Sequence, residues 1–397
     1  MSNQRPTSSI EFKHTINRKH QTLHFNEEGI CDACVVAEEK EKIDWLKREK
    51  ELHCLLDKYR RNDGQFDCVV PGSGGKDSVH AAYLLKYKYG MHPLTVTWPP
   101  ILYTDIGLKN FRSWIENGGF DNISFKPNGR VQRLLTKFSI ANLLHPFQTF
   151  ILGQKNLAPK IAMLYQIPLV FYGENEAEYG NPIADNEVSL RDKSYYTMQN
   201  LKEISLGGVS IEELMEKHEV SVSDISSYLP PDYQELERAK IEVHYLGYYL
   251  KWHPQSCYYY AVEHGNFEAS PERTSGTYSK YNSIDDKMDD LHYYTTLIKF
   301  GIGRATYDAA QEIRSGDITR EEGVALINRF DQEYPKRFFP ELLKYISIPK
   351  EEFPIASEMF ENPIMDKEHF DSLCDNFRSL HLWYFENSKW KLRNILS

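Results

Sequence analysis

The chain has 397 residues, of which 41% are hydrophobic and 13% aromatic, so it is a globular protein of two or three domains and not a disordered segment. Its formal charge of −10 is unlike that of DNA-binding or tRNA-binding proteins, which usually carry a basic face. No apolar run is long enough to span a membrane, the first residues have no apolar signal core, and six cysteines make no disulfide framework, so a cytoplasmic location is expected.

The first 60 residues are predicted to form a segment with a Cys-x-x-Cys pair and a helix. Cys31 and Cys34 follow a glycine, and their spacing is that of one half of a zinc ribbon. His20 and His24 would complete a set of four zinc ligands; the alternative is a dithiol that holds no metal. Residues 36–60 are charged and carry an apolar stripe at helical spacing.

Alternating strand and helix patterns predict a doubly wound parallel sheet over residues 61–180. The strand FDCVV precedes the turn PGSGGKDS, and further strands are expected at PLTVTW, near residues 122–125 and at IPLVFYG. Ligands bind at the carboxyl ends of strands in such sheets. The glycine turn and the segment after Tyr172 are therefore expected at one site.

The second half of the chain is predicted to contain an insertion, residues 181–235, and a mostly helical region, residues 236–397. Ser210 with Glu213 and Thr319 with Glu322 have the spacing of capping boxes at helix starts. The helical region is expected to contact substrate or partners.

The turn from Pro71 to Ser78 has the composition of an anion-binding loop, but it is neither a Walker A nor a Rossmann loop. Asp77 stands where a Walker A motif needs Ser or Thr and where the Rossmann fingerprint needs its last glycine. Its glycines let main-chain N–H groups approach phosphates at a helix N-terminus. Lys76 would neutralise charge, whereas Asp77 would repel a phosphate unless it binds magnesium. An ordinary strand-to-helix turn capped by a serine is the alternative.

The motif S-G-G-K-D-S resembles the PP-loop of ATP pyrophosphatases, the group that contains asparagine, GMP and NAD synthetases and tRNA thiolases. The resemblance implies a Rossmann-like, five-stranded parallel sheet, ATP and Mg²⁺ as cofactors, and cleavage between the α- and β-phosphates. The residues that it implies for nucleotide binding are Ser73, Gly74, Gly75, Lys76, Asp77, Ser78, Thr97 and Gly173.

Longer segments, among them HPFQTFILGQKN, GENEAEYG and GTYSKYNSIDDKMDDLHYYTTLIKFGIGR, resemble the N-acetyl sugar amidotransferase family over roughly residues 3–335. That family is associated with pseudaminic and legionaminic acids and O-antigen sugars. The resemblance implies adenylation of an acetamido group and its conversion by ammonia into an acetamidino group. It also implies separate glutaminase and cyclase-like partners that channel ammonia, and no nucleic-acid or membrane partner. The family usually carries another C-x-x-C just before an N-Q-R-P segment, which is Asn3 to Pro6 here.

The acidic stretch GENEAEYG follows the strand LVFY and is similar to an acidic segment of asparagine synthetases. By that likeness Glu174 is predicted to be catalytic and Glu176 to bind Mg²⁺ with Asp77, whereas the alternative is a solvated acidic loop. Lys299 and Arg304 are predicted to be catalytic by meeting the ATP phosphates or a substrate carboxylate. The residues expected to contact substrate are Tyr281, Asp285, Asp286 and Lys287.

On a helix, Asp285, Asp289 and His292 would share one face, and carboxylates this close need a counter-ion, a metal or water. The alternative for each is a solvated helix, and aromatic core packing is the alternative for Tyr281.

Two other functions remain open at this level: a PP-loop tRNA-modifying ligase or thiolase, and a non-catalytic binding subunit of a glutaminase complex. The sequence contains no recognisable glutaminase nucleophile. Ser2 follows Met1 where an N-terminal-nucleophile glutaminase needs Cys, and Cys68 lies inside a predicted strand.

Overall fold

The structure, a computed structural model, describes residues 26–174, 188–191, 193, 197 and 204–393. The strands in these residues are β1 (Cys68–Pro71), β2 (Pro93–Thr97), β3 (Asp121–Ser124), β4 (Leu169–Tyr172), β5 (Ser205–Leu206), β6 (Val209–Ser210), β7 (Glu242–Tyr245), β8 (Trp383–Glu386) and β9 (Lys389–Leu392). Five of them form the central parallel sheet, in the order β3-β2-β1-β4-β7, and the other four form two antiparallel hairpins.

The helices of the first half are α1 (Asp32–Lys40), α2 (Trp45–Tyr59), α3 (Lys76–Tyr83), α4 (Asp105–Glu116), α5 (Gly129–Leu143) and α6 (Gln148–Leu164). Helix α3 continues into one π-helical turn, Leu84–Lys88. The later helices are α7 (Ile211–His218), α8 (Val222–Ile225), α9 (Tyr233–Ala239), α10 (Leu246–Tyr249), α11 (Pro254–Gly265), α12 (Met288–Phe300), α13 (Arg304–Ser315), α14 (Arg320–Phe330), α15 (Phe339–Ile346), α16 (Pro354–Glu358) and α17 (Lys367–Phe377).

The sheet is buried on both faces, as its near-continuous apolar strands predict. Val69 and Val170, which pair across β1 and β4, belong to a core shared with α5 and α6. Val70 and Phe171 point the other way, into a core shared with α2, α3 and α11. Helices therefore cover both faces, and the predicted α/β fold with a parallel sheet and a helical C-terminal region is confirmed.

Two features differ from the sequence-based prediction. The fifth strand, β7, pairs with β4 from Leu169↔Glu242 to Tyr172↔Tyr245, so the sheet extends beyond the predicted boundary at residue 180. The C-terminal region also ends in the β8–β9 hairpin, with Trp383 paired with Leu392. Both were missed because four-residue strands leave little periodic signal.

One of the two predicted capping boxes is complete, and at the other helix start half of it is present. Thr319 and Glu322 form the complete capping box of α14, with bonds between side chain and main chain in both directions. At α7 the Ser210 hydroxyl accepts a hydrogen bond from the Glu213 N–H at 3.1 Å. Across the described residues, no helix combines the length and apolarity that crossing a bilayer requires.

The C-terminal region joins the sheet through a short segment that runs beside the loop after β2. Asp286 accepts hydrogen bonds from the main-chain N–H groups of Ile101 (2.5 Å), Leu102 (3.1 Å) and Met288 (2.9 Å). The Thr104 N–H donates to the Asp285 carbonyl at 3.0 Å. These bonds hold the start of α12 beside the carboxyl ends of the strands.

Candidate functional site

The glycine turn lies at the point where the strand order reverses. From β1 the chain proceeds outward to β2 and β3, whereas from β4 it proceeds to β7 in the other direction. The connections after β1 and β4 therefore diverge and leave a crevice at their carboxyl ends, which is where ligands bind in open parallel sheets.

A cavity of about 400 Å³ occupies this crevice. The residues that line it are Pro71, Gly72, Ser73, Gly75, Asp77, Ser78, Val96, Trp98, Ile151, Gln154, Lys155, Leu157, Ala158, Tyr172, Gly173, Glu174, Arg191 and Tyr245. The predicted turn residues and the start of the acidic segment thus face one space, although they are about 100 positions apart in the sequence.

Two glycines make this approach possible. Gly74 has φ +85°, and a Cβ there would lie 2.6 Å from the Phe111 Cα, so no other residue fits the turn. A Cβ on Gly173 would lie 2.9 Å from the Asp77 carbonyl oxygen. The close packing of Gly173 on the first turn of α3 brings Glu174 beside the glycine turn.

Lys76 and Asp77 form a partly buried ion pair at the start of α3. Lys76 Nζ lies 2.6 Å from Asp77 Oδ2, and only 8% of the Lys76 side-chain surface is exposed. Burial acts to lower the pKa of Lys76, but the carboxylates of Asp77 and Glu174 outweigh it and raise that pKa. The raised pKa favours the ammonium form of Lys76, which does not itself line the cavity but pairs with Asp77, which does.

Trp252, which the sequence did not single out, binds the other carboxylate oxygen of Asp77. Its indole Nε1 donates a hydrogen bond to Asp77 Oδ1 at 3.0 Å, and its carbonyl accepts one from Lys40 Nζ at 2.5 Å. Because tryptophan is usually a core residue, nothing in the local sequence indicated this contact.

The turn has the geometry of an anion site. Helix α3 begins at Lys76, so its unpaired N–H groups and positive dipole end face the crevice. The Ser78 hydroxyl donates to the Gly75 carbonyl at 2.9 Å, and the Ser73 side chain lines the cavity. Phosphate oxygens would find main-chain donors, hydroxyls and a cation together here.

Arg191 lines the cavity together with Lys155, and the sequence did not reveal either cation as part of the site. The main-chain N–H of Arg191 donates to the Val243 carbonyl at 2.8 Å. Its guanidinium carbon lies 5.3 Å from the ring centres of both Tyr172 and Tyr245. Tyr172 and Tyr245 come from β4 and β7, and Arg191 from the predicted insertion. Only the pairing of the two strands brings them together.

Not every residue predicted to bind the nucleotide or Mg²⁺ lines the cavity: Gly74 and Lys76 do not, although their neighbours in the glycine turn do. Glu176 lies outside the described residues. Thr97 does not line the cavity; its hydroxyl accepts a hydrogen bond from Asn122 Nδ2 at 3.0 Å, whereas its neighbours Val96 and Trp98 do line it. Alternation along β2 turns Thr97 away from the space that its neighbours face.

The predicted substrate residues before α12 separate into different roles. Asp285 lies beside the glycine turn, where the Ser73 hydroxyl favours its charged form, although burial raises the pKa of the carboxyl overall. Asp286 is used by the main-chain bonds described above, and burial raises its pKa to about 7. Lys287 Nζ is paired with Glu341 at 2.8 Å and does not line the cavity.

Lys299 and Arg304 also lie away from the cavity lining. Lys299 Nζ donates to the Leu143 carbonyl at 2.6 Å, and burial lowers its pKa to about 8. Arg304 forms an ion pair with Asp308 at 2.9 Å, so its positive charge is paired within its own helix. The predicted contact of these two cations with ATP phosphates is not supported by their positions.

Tyr281 packs as an aromatic core residue would. Its ring is stacked on Tyr258 with centroids 4.3 Å apart, and its hydroxyl donates to Glu312 at 3.2 Å. It does not line the cavity, so the predicted stacking on a sugar face finds no support.

Cys31 and Cys34 lie at the start of α1, with Cys31 as the N-cap. The Cys34 thiol hydrogen-bonds the Cys31 sulfur and lowers the pKa of Cys31 to about 5, while the pKa of Cys34 is raised. Within the part of the chain that the structure describes, no group of three or more His, Cys, Asp or Glu side chains is arranged to hold a metal. His20 and His24 lie outside it.

We expect Cys31 to be alkylated by iodoacetamide at pH 7 at least about tenfold faster than buried Cys257, since the thiolate is the nucleophile. A lowered pKa leaves Cys31 ionised above pH 5 and protonates it below, so labelling should slow as the pH falls through about 5. Peptide mass spectrometry measures the labelling. Cys34→Ser is the control and should slow it at pH 6, and an unlabelled Cys31 would contradict the prediction.

Comparison with known proteins gives two matches. Residues 275–396 match the family model described as LPS biosynthesis protein WbpG-like, C-terminal domain. A further match is an uncharacterized protein of Methanocaldococcus jannaschii, 34% identical over 83 residues, which make up 21% of this chain and 29% of that protein. The chain thus spans less than a third of this curated relative. The C-terminal match includes α12 to α17 and supports a part, as an enzyme, in the biosynthesis of lipopolysaccharide or related sugars.

Proposed function

We propose that the protein is an ATP-dependent, AMP-forming amidotransferase of sugar biosynthesis. It transfers AMP to the oxygen of an acetamido group on an N-acetylated sugar, a nonulosonic acid or O-antigen sugar, and ammonia then displaces AMP to give an acetamidino group. The observation that carries the proposal is the convergence of the glycine turn, of Asp77 and of Glu174 on one cavity at the switch point of the sheet, with Lys76 paired to the Asp77 carboxylate.

The polar side of the cavity suits the triphosphate. The N–H groups at the start of α3, the hydroxyls of Ser73 and Ser78 and the ammonium of Lys76 would bind the β- and γ-phosphates and hold the pyrophosphate as it leaves. Each is fixed before the reaction, so little reorganisation is needed when charge moves to the leaving group.

The carboxylates of Asp77 and Glu174 fit a magnesium ion, with Glu176 as a further proposed ligand. Mg²⁺ is usually held by one or two carboxylates together with substrate phosphates, so a dedicated protein cage is not required. When bound, the ion would neutralise phosphate charge that the Asp77 carboxylate otherwise repels. Trp252 and Lys76 keep that carboxylate turned into the crevice.

The apolar side of the cavity suits the adenine base. Val96, Trp98, Ile151, Leu157 and Ala158 come from β2, the residue after it and α6. A purine buried against them would set the α-phosphate toward the glycine turn, where the bond to the leaving pyrophosphate breaks. Exclusion of water by the same residues would protect the adenylate from hydrolysis.

The C-terminal match favours a sugar over a tRNA as the acceptor, since the matched model is one of lipopolysaccharide biosynthesis. The net charge of −10 also favours a sugar over a tRNA, because proteins that bind nucleic acid usually carry a basic face. Separate glutaminase and cyclase-like subunits are the proposed source of ammonia in the cell. A non-catalytic binding subunit of a glutaminase complex would not need the Lys76–Asp77 ion pair of the glycine turn.

The test is to incubate the purified protein with ATP, Mg²⁺, ammonium and a panel of N-acetylated sugars. Mass spectrometry should detect a sugar whose mass has fallen by the difference between O and NH, together with AMP and pyrophosphate in equal amounts. Formation of ADP and phosphate, or of no modified sugar from any member of the panel, would count against the proposal.

Trp252→Phe is expected to weaken binding of ATP in the presence of Mg²⁺ by about tenfold, because a hydrogen bond to a charged group contributes about 1.5 kcal/mol or more. Isothermal titration calorimetry measures the Kd. Trp383→Phe is the matched control, since it removes a buried indole hydrogen bond to the Ile298 carbonyl outside the cavity. Equal Kd values for both variants would show that Trp252 does not position Asp77.

A further inference from the structure

Helix α6 forms one wall of the nucleotide cavity and brings a lysine to it. Ile151, Lys155 and Ala158 line the cavity, and their spacing of four and three residues places them on one face of the helix. Ile151 and Ala158 belong to the apolar side of the cavity, which suits the adenine base. Lys155 therefore lies about one helical turn from each of two residues that would contact the base.

Packing on both sides of Lys155 fixes this face of α6 toward the cavity. A Cβ on Gly153 would lie 2.2 Å from the ring of Trp98, so the helix is in direct contact with a ring that lines the cavity. Asn156 is buried, and its Nδ2 donates to the Tyr228 carbonyl at 2.7 Å. These neighbours set the rotation of α6 about its axis and hold the half-buried Lys155 at the cavity wall.

Lys155 and Lys76 come from helices on opposite faces of the central sheet. Helix α6 shares a core with Val69 and Val170, whereas α3, which begins at Lys76, packs on the other face. The crevice at the carboxyl ends of the strands lies between the two helices. A triphosphate in the crevice would thus have one lysine on each wall, Lys76 beside the glycine turn and Lys155 beside the apolar side.

The α-phosphate needs a cation of its own. The glycine turn is expected to serve the β- and γ-phosphates, and the carboxylates of Asp77 and Glu174, which also line the cavity, would repel an α-phosphate that no cation neutralises. Among the described residues that line the cavity, Lys155 and Arg191 carry positive charge. Arg191 packs on tyrosines from β4 and β7, whereas Lys155 shares α6 with residues of the base side. Lys155 is therefore the cation at the junction of base and phosphates.

We propose that Lys155 binds the α-phosphate of ATP and is a catalytic residue of adenyl transfer. This inference rests on the proposed function. The acetamido oxygen forms a bond to the α-phosphorus, the bond from that phosphorus to the bridging oxygen of the β-phosphate breaks, and pyrophosphate leaves with the electron pair. No proton moves in this step. The Lys155 ammonium stabilises the negative charge on the non-bridging α-phosphate oxygens and stays with the AMP half, while Lys76 stays with the pyrophosphate half.

The first test measures the binding of the two halves of ATP separately, by isothermal titration calorimetry with AMP and with magnesium pyrophosphate. Lys155→Met should weaken AMP binding at least about tenfold and change the Kd for pyrophosphate by less than about twofold, because a hydrogen bond between charged groups is lost from one half alone. Lys76→Ala should show the reverse pattern. Lys160→Met is the matched control on the same helix, since Lys160 donates to the Ser226 carbonyl at 2.8 Å and does not line the cavity. It should change neither Kd.

Three outcomes would overturn the inference. The first is an unchanged Kd for AMP in Lys155→Met when the parent protein binds AMP. The second is a loss of AMP affinity in Arg191→Gln that Lys155→Met does not share, which would assign the α-phosphate to Arg191. The third is an equal loss of affinity for AMP and pyrophosphate in Lys155→Met with a lower melting temperature, which would show a structural role. A parent protein that binds neither ligand would instead contradict the proposed function itself, and the inference with it.

The second test uses the sugar that yields the acetamidino product. At saturating ATP, Lys155→Met should lower the rate of AMP formation at least about 100-fold, the scale of one fixed electrostatic group in a transition state. Lys155→Arg keeps the positive charge and should retain the parent rate within about tenfold. A parent rate in Lys155→Met, or equal losses in both variants, would overturn the catalytic role of the Lys155 charge.

Discussion

Replacing Lys76 or Asp77 with alanine is expected to lower the rate of AMP formation at least about 100-fold, the scale at which one fixed electrostatic group stabilises a transition state. Lys76 is buried, its pKa is raised, and its ammonium lies 2.6 Å from Asp77. Its loss would remove the cation that holds the leaving pyrophosphate. Loss of Asp77 would remove a carboxylate for Mg²⁺ and free the Trp252 indole.

The measurement is AMP and pyrophosphate release by each variant at saturating ATP. Lys109→Ala and Asp63→Ala are matched controls, since both side chains are exposed, form surface ion pairs with Glu268 and Arg61, and lie outside the cavity. They should keep the parent rate. Melting temperatures separate a lost activity from a lost fold, and a folded Lys76→Ala variant with the parent rate would remove the glycine turn from the chemistry.

The isolated protein is expected to consume ammonium and to leave glutamine intact, with glutamine-dependent turnover at least roughly 100-fold slower, because a buried neutral thiol does not act as the nucleophile of a glutaminase. Cys68, Cys257 and Cys374 are buried, and burial raises the pKa of each. Cys31 has a lowered pKa, but it pairs with Cys34 and does not line the cavity.

The assay compares glutamate release, with glutamine as sole nitrogen source, with AMP formation. Cys31→Ser is the informative variant, since it removes the thiol whose pKa is lowered. Glutamate release that matches AMP formation in the parent and disappears in Cys31→Ser would reveal a glutaminase and refute the expectation.

With ammonium, the rate should rise with pH as ammonia replaces ammonium in solution, and a channelling partner should flatten that rise.

Several parts of the candidate site were predictable because their geometry is local. Eight consecutive residues from Pro71 to Ser78 contain the glycines, the lysine and the helix start that an anion site needs. The apolar strands before this turn and before Gly173 predicted their burial, and the strand order at a switch point follows from alternating strands and helices. Asp285 was expected on a helix face, but it lies in the segment before α12, which begins at Met288.

Other parts depend on which distant segments pack together. Arg191 and Tyr245 line the cavity because β7 adds to the edge of β4, and no short pattern predicts that pairing. Trp252 contacts Asp77 from a position that is 175 residues away in the sequence. Lys287, Lys299 and Arg304 looked like free cations, but each is held by a group far from the glycine turn or on its own helix: Glu341, the Leu143 carbonyl and Asp308.

The sequence by itself therefore determined the local elements of this protein: the helix starts, the buried strands and the glycine turn, whose contacts lie within a few residues of one another. Only the tertiary structure decided which charges are neutralised and which remain for a ligand. The physical reason is that a charged side chain is satisfied by any partner within reach, and reach is set by the path of the whole chain. Asp289 and Asp290 are adjacent and chemically identical, yet packing places only the Asp290 carboxylate within hydrogen-bond distance of Ser275 and Arg337.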